Sequence, residues 1–211
     1  MKKGIIFIIS APSGTGKSTL IKKLLNNNSY LFCDMTISIS YTTRIIRPGE
    51  HNGIHYHFIS KLKFKEMIDN DDFLEYAKVF NNYYGTSKKN INRFISNGIN
   101  VLLDIDWQGA RQIKKKTNNS KSIFILPPSI KELYTRLKNR SQDSDDVINK
   151  RMSKAISEIN HYSDYDYLII NDNIKIAIDN LKSIIVSSKL KTQYQKYNHN
   201  QLLKNLLNNS I

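Results

Sequence analysis

The sequence is poor in the residues that would place it outside a reducing, aqueous compartment. It contains one cysteine, Cys33, among 211 residues, which excludes an internal disulfide and predicts a cytoplasmic protein with Cys33 as a small buried filler. No apolar run approaches the roughly 18 residues of a membrane span, so we expect no membrane partner. The five histidines have no metal-ligand spacing such as His-x-x-x-His on a predicted helix, which argues against a zinc site.

Acidic residues are also scarce, because 18 Asp and Glu stand against 32 Lys and Arg, for a formal net charge of +14. Such an excess is typical of proteins whose partners are polyanions, either nucleotides or nucleic acid. Lysine, asparagine and isoleucine are abundant along the whole chain, so we attribute most of the charge to solvated surface. The hydrophobic content of 40% predicts a globular chain, with one core or one core and inserted lobes.

The stretch from Ser10 to Thr19 reads Ser-Ala-Pro-Ser-Gly-Thr-Gly-Lys-Ser-Thr and lies between two apolar patterns. Residues 4–9 predict a buried strand, and residues 20–25 carry leucine and isoleucine at helical spacing. A glycine-rich turn between a strand and a helix N-terminus can cradle a phosphate. The pattern G-x-x-x-x-G-K-[ST] predicts that Lys17 reaches the outer phosphates of a nucleotide and that Ser18 ligates Mg²⁺, although Ala11 replaces the first glycine.

A second buried strand is predicted at residues 100–106, and it ends in the carboxylates Asp104 and Asp106. Acids that follow a strand of a doubly wound sheet lie where ligands bind, and one of them can hold Mg²⁺. Further strands at 122–126 and 165–170 alternate with helical patterns. The chain is therefore predicted to be an α/β protein whose parallel sheet is covered by helices on both faces.

Residues 35–90 interrupt this alternation. The Pro-Gly turn at 48–49 and the Asn-Gly turn at 52–53 lie among short β-forming segments, which predicts an inserted β-rich lobe. A polar link at 140–145 precedes a long helix. Leucines near the C-terminus predict a last helix, which we expect to pack on the body of the protein.

Taken together, these motifs resemble those of the guanylate kinase family, bacterial type, over essentially the whole chain. The matching stretches are Ser-Ala-Pro-Ser-Gly-x-Gly-Lys-Ser, Ser-x-Thr-Thr-Arg-x-x-Arg-Pro-Gly-Glu, Asn-Tyr-Tyr-Gly-Thr, Leu-Asp-Ile-Asp-x-Gln-Gly, and Arg-x-x-x-Arg with a downstream Asn-Lys-Arg. Ala11 is also frequent in this family. The resemblance implies a P-loop nucleoside monophosphate kinase that uses ATP to phosphorylate GMP. It further implies a core domain (1–34, 88–139 and 165–211), a GMP-binding lobe (35–87) and a small helical lid (140–164).

The resemblance implies a GMP site in which arginines and tyrosines bind the phosphate while hydroxyl and acidic side chains read guanine. The phosphate ligands would be Arg44, Arg47, Tyr56 and Tyr84. The guanine site would contain Ser40, Glu75, Thr86, Asp104 and Asp106. Strand alternation alone would turn Glu75 outward, and the two aspartates could instead be helix N-terminal acids. We prefer Asp104 near Mg²⁺ and Asp106 toward guanine, a division that the sequence leaves open.

The family also implies ATP as co-substrate and Mg²⁺ held through Ser18 and Asp104. The ATP site would comprise Ala11, Pro12, Ser13, Gly14, Thr15, Gly16, Lys17, Ser18, Thr19, Arg136 and Asn171. The catalytic residues would be Lys17 with the lid arginines Arg140 and Arg151, which bring positive charge onto the transferring phosphoryl group. Arg136 could instead be a surface helix residue, and Asn171 a cap at the end of a strand.

Three alternative functions stay open at this point. Another nucleoside monophosphate kinase would share the scaffold, but Ser40 and Glu75 favour guanine. A non-catalytic guanylate-kinase-like module would tend to lose Lys17 and the nucleotide-site arginines, all of which are present. A nucleic-acid binder would use the +14 charge, but no nucleic-acid-binding module is recognisable, so we expect no nucleic-acid partner. The sequence does not decide whether the chain forms a homo-oligomer.

Overall fold

The computed structural model of the protein describes residues 3–25, 34–79, 81–140 and 145–208, apart from the side chains of Arg140 and Asp145. The strands are β1 (Ile6–Ser10), β2 (Met35–Ile37), β3 (Tyr41–Thr42), β4 (His57–Phe58), β5 (Phe73–Val79), β6 (Asn82–Ser87), β7 (Asn100–Asp104), β8 (Ser120–Leu126) and β9 (Tyr167–Ile170). The helices are α1 (Lys17–Leu25), α2 (Lys61–Asp69), α3 (Lys88–Ser96), α4 (Trp107–Lys116), α5 (Ile130–Arg140), α6 (Asp145–Ile159), α7 (Ile174–Lys189), α8 (Thr192–Asn198) and α9 (Asn200–Asn208), with a 3-10 turn at Tyr162–Asp164. Cys33 and most of the polar link, residues 141–144, lie outside the described residues.

Strands β2, β7, β1, β8 and β9 form a parallel sheet in that order. Every residue of the central strand β1 is buried, because helices cover both faces of the sheet. Phe7 packs on one face with Leu20 of α1 and Leu181 of α7. Ile8 packs on the other face with Ile113 of α4. The predicted α/β fold class is therefore confirmed.

Strands β4, β3, β6 and β5 form a second, mixed sheet in that order. Its own small core contains Phe64 of α2, whose ring stacks on Phe73 and on Tyr83 with centroid distances of 4.4 and 5.3 Å. Helix α4 covers the free edge of β5. The Gln112 amide donates to the Tyr76 carbonyl oxygen at 2.7 Å and accepts from the Tyr76 N–H at 3.2 Å. These bonds fix the second sheet to α4, which itself packs on the main sheet.

One sequence-based assignment in this region needs correction. Strand β2 pairs with β7, so residues 35–37 belong to the main sheet and not to the lobe that we expected to begin at residue 35. Residues 82–87 form strand β6, which pairs with both β3 and β5. Glycine obscures the strand pattern there. A Cβ on Gly85 would lie 2.8 Å from the Phe73 ring, so the packed aromatic core requires glycine at this position.

The C-terminal helices differ in how they pack. In α8, Tyr194 is buried and its hydroxyl donates to Oδ1 of Asn119 at 2.7 Å. In α9 no residue is buried, and Leu206 and Leu207 are largely exposed. The prediction that the last helix packs on the body is therefore wrong. Within the described part of the chain, no helix is both long enough and apolar enough to cross a membrane.

Candidate active site

The phosphate loop connects β1 to α1 and turns on two glycines. Gly14 and Gly16 have φ angles of 93° and 91°, in the left-handed region that favours glycine. The Thr15 N–H and hydroxyl both donate to the Pro12 carbonyl oxygen, at 3.4 and 2.9 Å, and close the loop. Because α1 begins at Lys17, the loop leads directly into a helix N-terminus, where backbone N–H groups attract anions.

Two side chains support this loop from behind. Asn171, which is 5% exposed, donates from Nδ2 to the Thr15 carbonyl oxygen at 2.6 Å. Arg136 donates from Nη1 to the Asn171 carbonyl oxygen at 3.0 Å. A Cβ on Gly16 would lie 2.6 Å from Asn171 Nδ2, so this close approach also needs glycine. Asn171 thus supports the loop from the end of β9, and its assignment to the ATP site stays a prediction.

The Lys17 ammonium forms an ion pair with the carboxylate of Asp104. Strands β1 and β7 are neighbours, with Ile9 opposite Asp104, so their carboxyl ends place the loop lysine beside the strand-ending acid. The two side chains are 20% and 33% exposed. The pair is therefore accessible from the space in front of the loop.

That space is a cavity of about 720 Å³, the loop cavity, whose floor is residues 11–19. Its other walls are formed by Lys22, Tyr56, Asp104, Asp106, Arg136, Lys154 and Glu158. Arg136 thus lines the cavity and also supports the loop, so it is more than the surface helix residue that the sequence left as an alternative. Asn171 does not line it.

A second cavity, the lobe cavity, lies between the two sheets and measures about 290 Å³. Its walls are formed by Lys17, Ser40, Arg47, Tyr56, Glu75, Ala77, Val79, Tyr84, Asp104, Ile105 and Asp106. Of the residues expected at GMP, all but Arg44 and Thr86 line it. The two cavities adjoin, because Lys17, Tyr56, Asp104 and Asp106 line both.

Glu75 is a buried acid in the wall of the lobe cavity. It is 3% exposed, so the outward-facing alternative is wrong. The Thr86 hydroxyl donates to its Oε1 at 2.6 Å. Burial raises the pKa of Glu75 to about 7, with a smaller contribution from the negative charge of Asp106. The carboxylate lies against Gly109 of α4, where any Cβ would overlap with Oε2.

Asp106 begins helix α4. Its side chain accepts the N–H of Gly109 at 3.0 Å, as expected for an N-cap, and also faces both cavities. The helix-capping alternative and a ligand role are thus compatible for this residue. Ser40, Arg47 and Tyr84 complete the polar wall of the lobe cavity.

Arg44 lies behind that wall. Its guanidinium carbon is 5.5 Å from the centroid of the Tyr56 ring, and its Nη2 donates to both oxygens of Glu50, at 2.7 and 3.0 Å. The hydrogen bond to Glu50 raises the pKa of Arg44. Burial raises the pKa of Tyr56 to about 12, which keeps its hydroxyl protonated as a donor.

The lid residues only partly follow expectation. Arg151 is half-buried on α6 and does not line the loop cavity, and the side chain of Arg140 lies outside the described residues. Lys154 and Glu158 of α6 line it instead and form an ion pair at 3.6 Å. Burial raises the pKa of Glu158. Their spacing of four residues places them on one face of the helix. Lys–Glu pairs at this spacing are common on exposed helices, so the sequence alone could not single them out as site residues.

Among the described residues, no cluster of three or more His, Cys, Asp or Glu could hold a metal ion by itself. An exposed Ser18 hydroxyl in the first turn of α1 and the Asp104 carboxylate nevertheless line the same cavity. Such a sparse oxygen set suits Mg²⁺, which keeps several waters and binds through one or two side chains plus phosphates.

Comparison with known proteins gives one consistent result. The family described as guanylate kinase matches residues 3–188. A guanylate kinase of Buchnera aphidicola subsp. Baizongia pistaciae is 60% identical over 208 residues, which cover 99% of this chain and 100% of that protein. A guanylate kinase of Photorhabdus laumondii subsp. laumondii is 51% identical over 98% and 99% of the two chains. The crystal structure of guanylate kinase from Anaplasma phagocytophilum superposes with a TM-score of 0.75 at 33% identity, covering 90% of this chain and 89% of that one.

Proposed function

Because the chain belongs to the guanylate kinase family, we propose that it transfers the γ-phosphoryl group of ATP to GMP and releases ADP and GDP. The proposal is carried by the two adjoining cavities, one on the phosphate loop and one between the sheets. Transfer between two nucleotides needs two sites that meet at the transferring group. Lys17, Tyr56, Asp104 and Asp106 line both cavities at the place where the sites would meet.

The loop cavity would take ATP. Its backbone N–H groups and the Lys17 ammonium would hold the outer phosphates, while Arg136 contributes a second positive charge. Ser18 and Asp104 would hold Mg²⁺, which when bound would supply positive charge to neutralise the phosphates. Lys17, which pairs with Asp104 in this structure, would give up that ion pair to bind phosphate.

The lobe cavity would take GMP. Arg47, Tyr56 and Tyr84 would bind the phosphate, joined by Arg44 from behind the wall. Ser40, Asp106 and the Glu75–Thr86 pair would read guanine, whose N1–H and amino group are adjacent donors that an ionised carboxylate accepts together. The GMP-binding lobe, corrected to begin after β2, and the lid at 140–164 remain part of this proposal as units that would close around the nucleotides.

Positioning and charge stabilisation carry such a reaction, because phosphoryl transfer passes through a loose transition state. No general base is required. Closure would exclude water and bring Arg140 and Arg151 onto the transferring group. The single cysteine fits a cytoplasmic enzyme.

The test is an ADP-release assay with ATP, Mg²⁺ and GMP, AMP, CMP or UMP in turn. Of the four monophosphates, we expect only GMP to give rapid ADP release. Equal turnover with another nucleotide would indicate a different monophosphate kinase. Absence of turnover from folded protein that binds GMP would indicate a non-catalytic module, and tight salt-dependent binding of RNA or DNA without turnover would indicate a nucleic-acid protein.

A further inference from the structure

A tight turn in the segment between β3 and β4 brings the carboxylate of Glu50 back toward Arg44 and Arg47. The Glu50 N–H donates to the Arg47 carbonyl oxygen at 3.0 Å, and Gly49 between them has a φ of 80°. Proline followed by a glycine with positive φ is the signature of a type II turn. The turn therefore fixes where the Glu50 side chain begins.

The Glu50 carboxylate accepts hydrogen bonds from both arginines. Its two oxygens take Nη2 of Arg44 at 2.7 and 3.0 Å, and Oε2 also takes the Arg47 N–H at 2.9 Å. The Arg44 and Glu50 side chains are only 12% and 18% exposed, so solvent screens the pair weakly. The hydrogen bond from Arg44 lowers the pKa of Glu50, which keeps it ionised at neutral pH.

Further contacts hold the Arg44 guanidinium in one orientation. Its Nη1 donates to the Ile45 carbonyl oxygen at 2.8 Å, and its Cζ lies 5.5 and 5.7 Å from the ring centroids of Tyr56 and Phe58. Tyr56 lines both cavities, so the held guanidinium is directly behind the place where they adjoin. A free arginine would have to be ordered at every binding event, which costs conformational entropy.

We propose that Glu50 is a positioning residue of the acceptor phosphate site, which holds Arg44 and the Arg47 backbone ready for the phosphate of GMP without touching the substrate. The proposal rests on the proposed function, since it assumes that these arginines bind the acceptor phosphate. The Glu50 carboxylate also repels a nearby phosphate, and this repulsion alone would weaken GMP binding. Here three hydrogen bonds, from Arg44 Nη2 and the Arg47 N–H, already occupy the Glu50 oxygens, so we expect positioning to dominate.

The test compares KM for GMP, KM for ATP and kcat in wild type and in Glu50→Gln. We expect KM for GMP to rise by about tenfold, as for loss of a charge-assisted hydrogen bond, with kcat and KM for ATP nearly unchanged. Glu66→Gln is the matched control. Glu66 belongs to the same lobe but forms an exposed pair with Lys63 at 3.0 Å, and its removal should leave all three constants unchanged.

A double variant separates positioning from simple stabilisation of the lobe. If Glu50 acts through Arg44, then Glu50→Gln should add little to the KM for GMP of Arg44→Ala, since coupled residues are non-additive. Should Glu50→Gln fold poorly by circular dichroism, Glu50→Asp keeps the charge but shortens its reach, and we expect it to raise KM for GMP as well. An unchanged or lower KM in folded Glu50 variants, or full additivity with Arg44→Ala, would overturn the positioning role. Failure of wild type itself to phosphorylate GMP would instead overturn the proposed function.

Discussion

The Thr86 hydroxyl donates a 2.6 Å hydrogen bond to Oε1 of Glu75 inside the lobe cavity wall. This bond crosses from β6 to β5 and holds one carboxylate oxygen. The other oxygen lies against Gly109 of α4. Glu75 is thus fixed from both sides in a place where its charge is poorly solvated, as its raised pKa reflects. Such a costly arrangement is typical of functional sites.

The buried Glu75 carboxylate should make stability depend on pH. Its pKa is about 7 in the folded protein against an ordinary 4.5, so the folded state binds its proton more tightly. The stabilisation from this group is complete below the lower pKa and is lost as pH rises through the higher one. In Glu75→Gln, whose amide oxygen still accepts from Thr86, this loss is absent. Between pH 5 and pH 8 the unfolding free energy of the variant should therefore gain about 2–3 kcal/mol relative to wild type.

Urea denaturation at the two pH values measures this difference. Glu66→Gln provides the control, because Glu66 is exposed and its variant should follow wild type at both values. If Glu66→Gln gained as much unfolding free energy relative to wild type as Glu75→Gln does between the two pH values, the pH dependence could not be assigned to Glu75.

Gly109→Ala should damage guanine recognition without unfolding the protein. Alanine favours a helix by about 1 kcal/mol over glycine, but its Cβ would displace the flexible end of Glu75. We expect KM for GMP to rise about tenfold or more, with little change in Tm. The control is Arg111→Ala on the same helix, where the replaced side chain is exposed. Wild-type KM for GMP in Gly109→Ala would contradict the packing of Glu75 on this glycine.

Lys17→Ala should lower kcat by a factor of about 10² or more, because a preorganised positive charge on the outer phosphates is lost. The variant also leaves Asp104 without its ion-pair partner. Lys23→Ala, an exposed position on the same helix, should retain wild-type turnover. Steady-state kinetics of correctly folded variants provide the comparison, and near-normal kcat in Lys17→Ala would remove Lys17 from the reaction.

The lid arginines should act on the transferring group more than on the acceptor. Arg140→Ala and Arg151→Ala are therefore expected to lower kcat more than they raise KM for GMP. Lys150→Ala, next to Arg151 but exposed, serves as the control. If both arginine variants changed only KM for GMP, the two residues would belong to the acceptor site.

The parts of the fold that the sequence predicts well are those whose signal is local. Strand β1 with the phosphate loop, and strand β7 with Asp104 at its end, each follow from an apolar run and the residues directly after it. The parallel sheet then follows from alternation of strands and helices. The residues proposed to read guanine were assigned from family resemblance, because nothing in the local composition around them specifies a ligand.

Long-range contacts account for what the sequence did not indicate. Glu75 is buried because Gly109, distant in sequence, leaves room for it. Asn171 supports Thr15 across 156 residues of chain, a relationship without any local pattern. Lys154 and Glu158 reach the loop cavity only because α6 packs on α5. In α9, helical spacing of leucines predicted a helix correctly but could not show whether it packs on the body.

The assignment of Glu75 to guanine is tested most directly by comparing kcat/KM for GMP, inosine monophosphate and AMP in wild type and in Glu75→Gln. Inosine monophosphate retains N1–H but lacks the amino group, so it should lose one charge-assisted bond and about ten- to a hundredfold in kcat/KM. AMP presents an acceptor at N1 toward the carboxylate and should be used far less. Glu75→Gln offers one acceptor at this edge, so it should use GMP less well and discriminate less. Wild-type use of AMP comparable to GMP, or unchanged discrimination in Glu75→Gln, would contradict the assignment of this cavity to guanine.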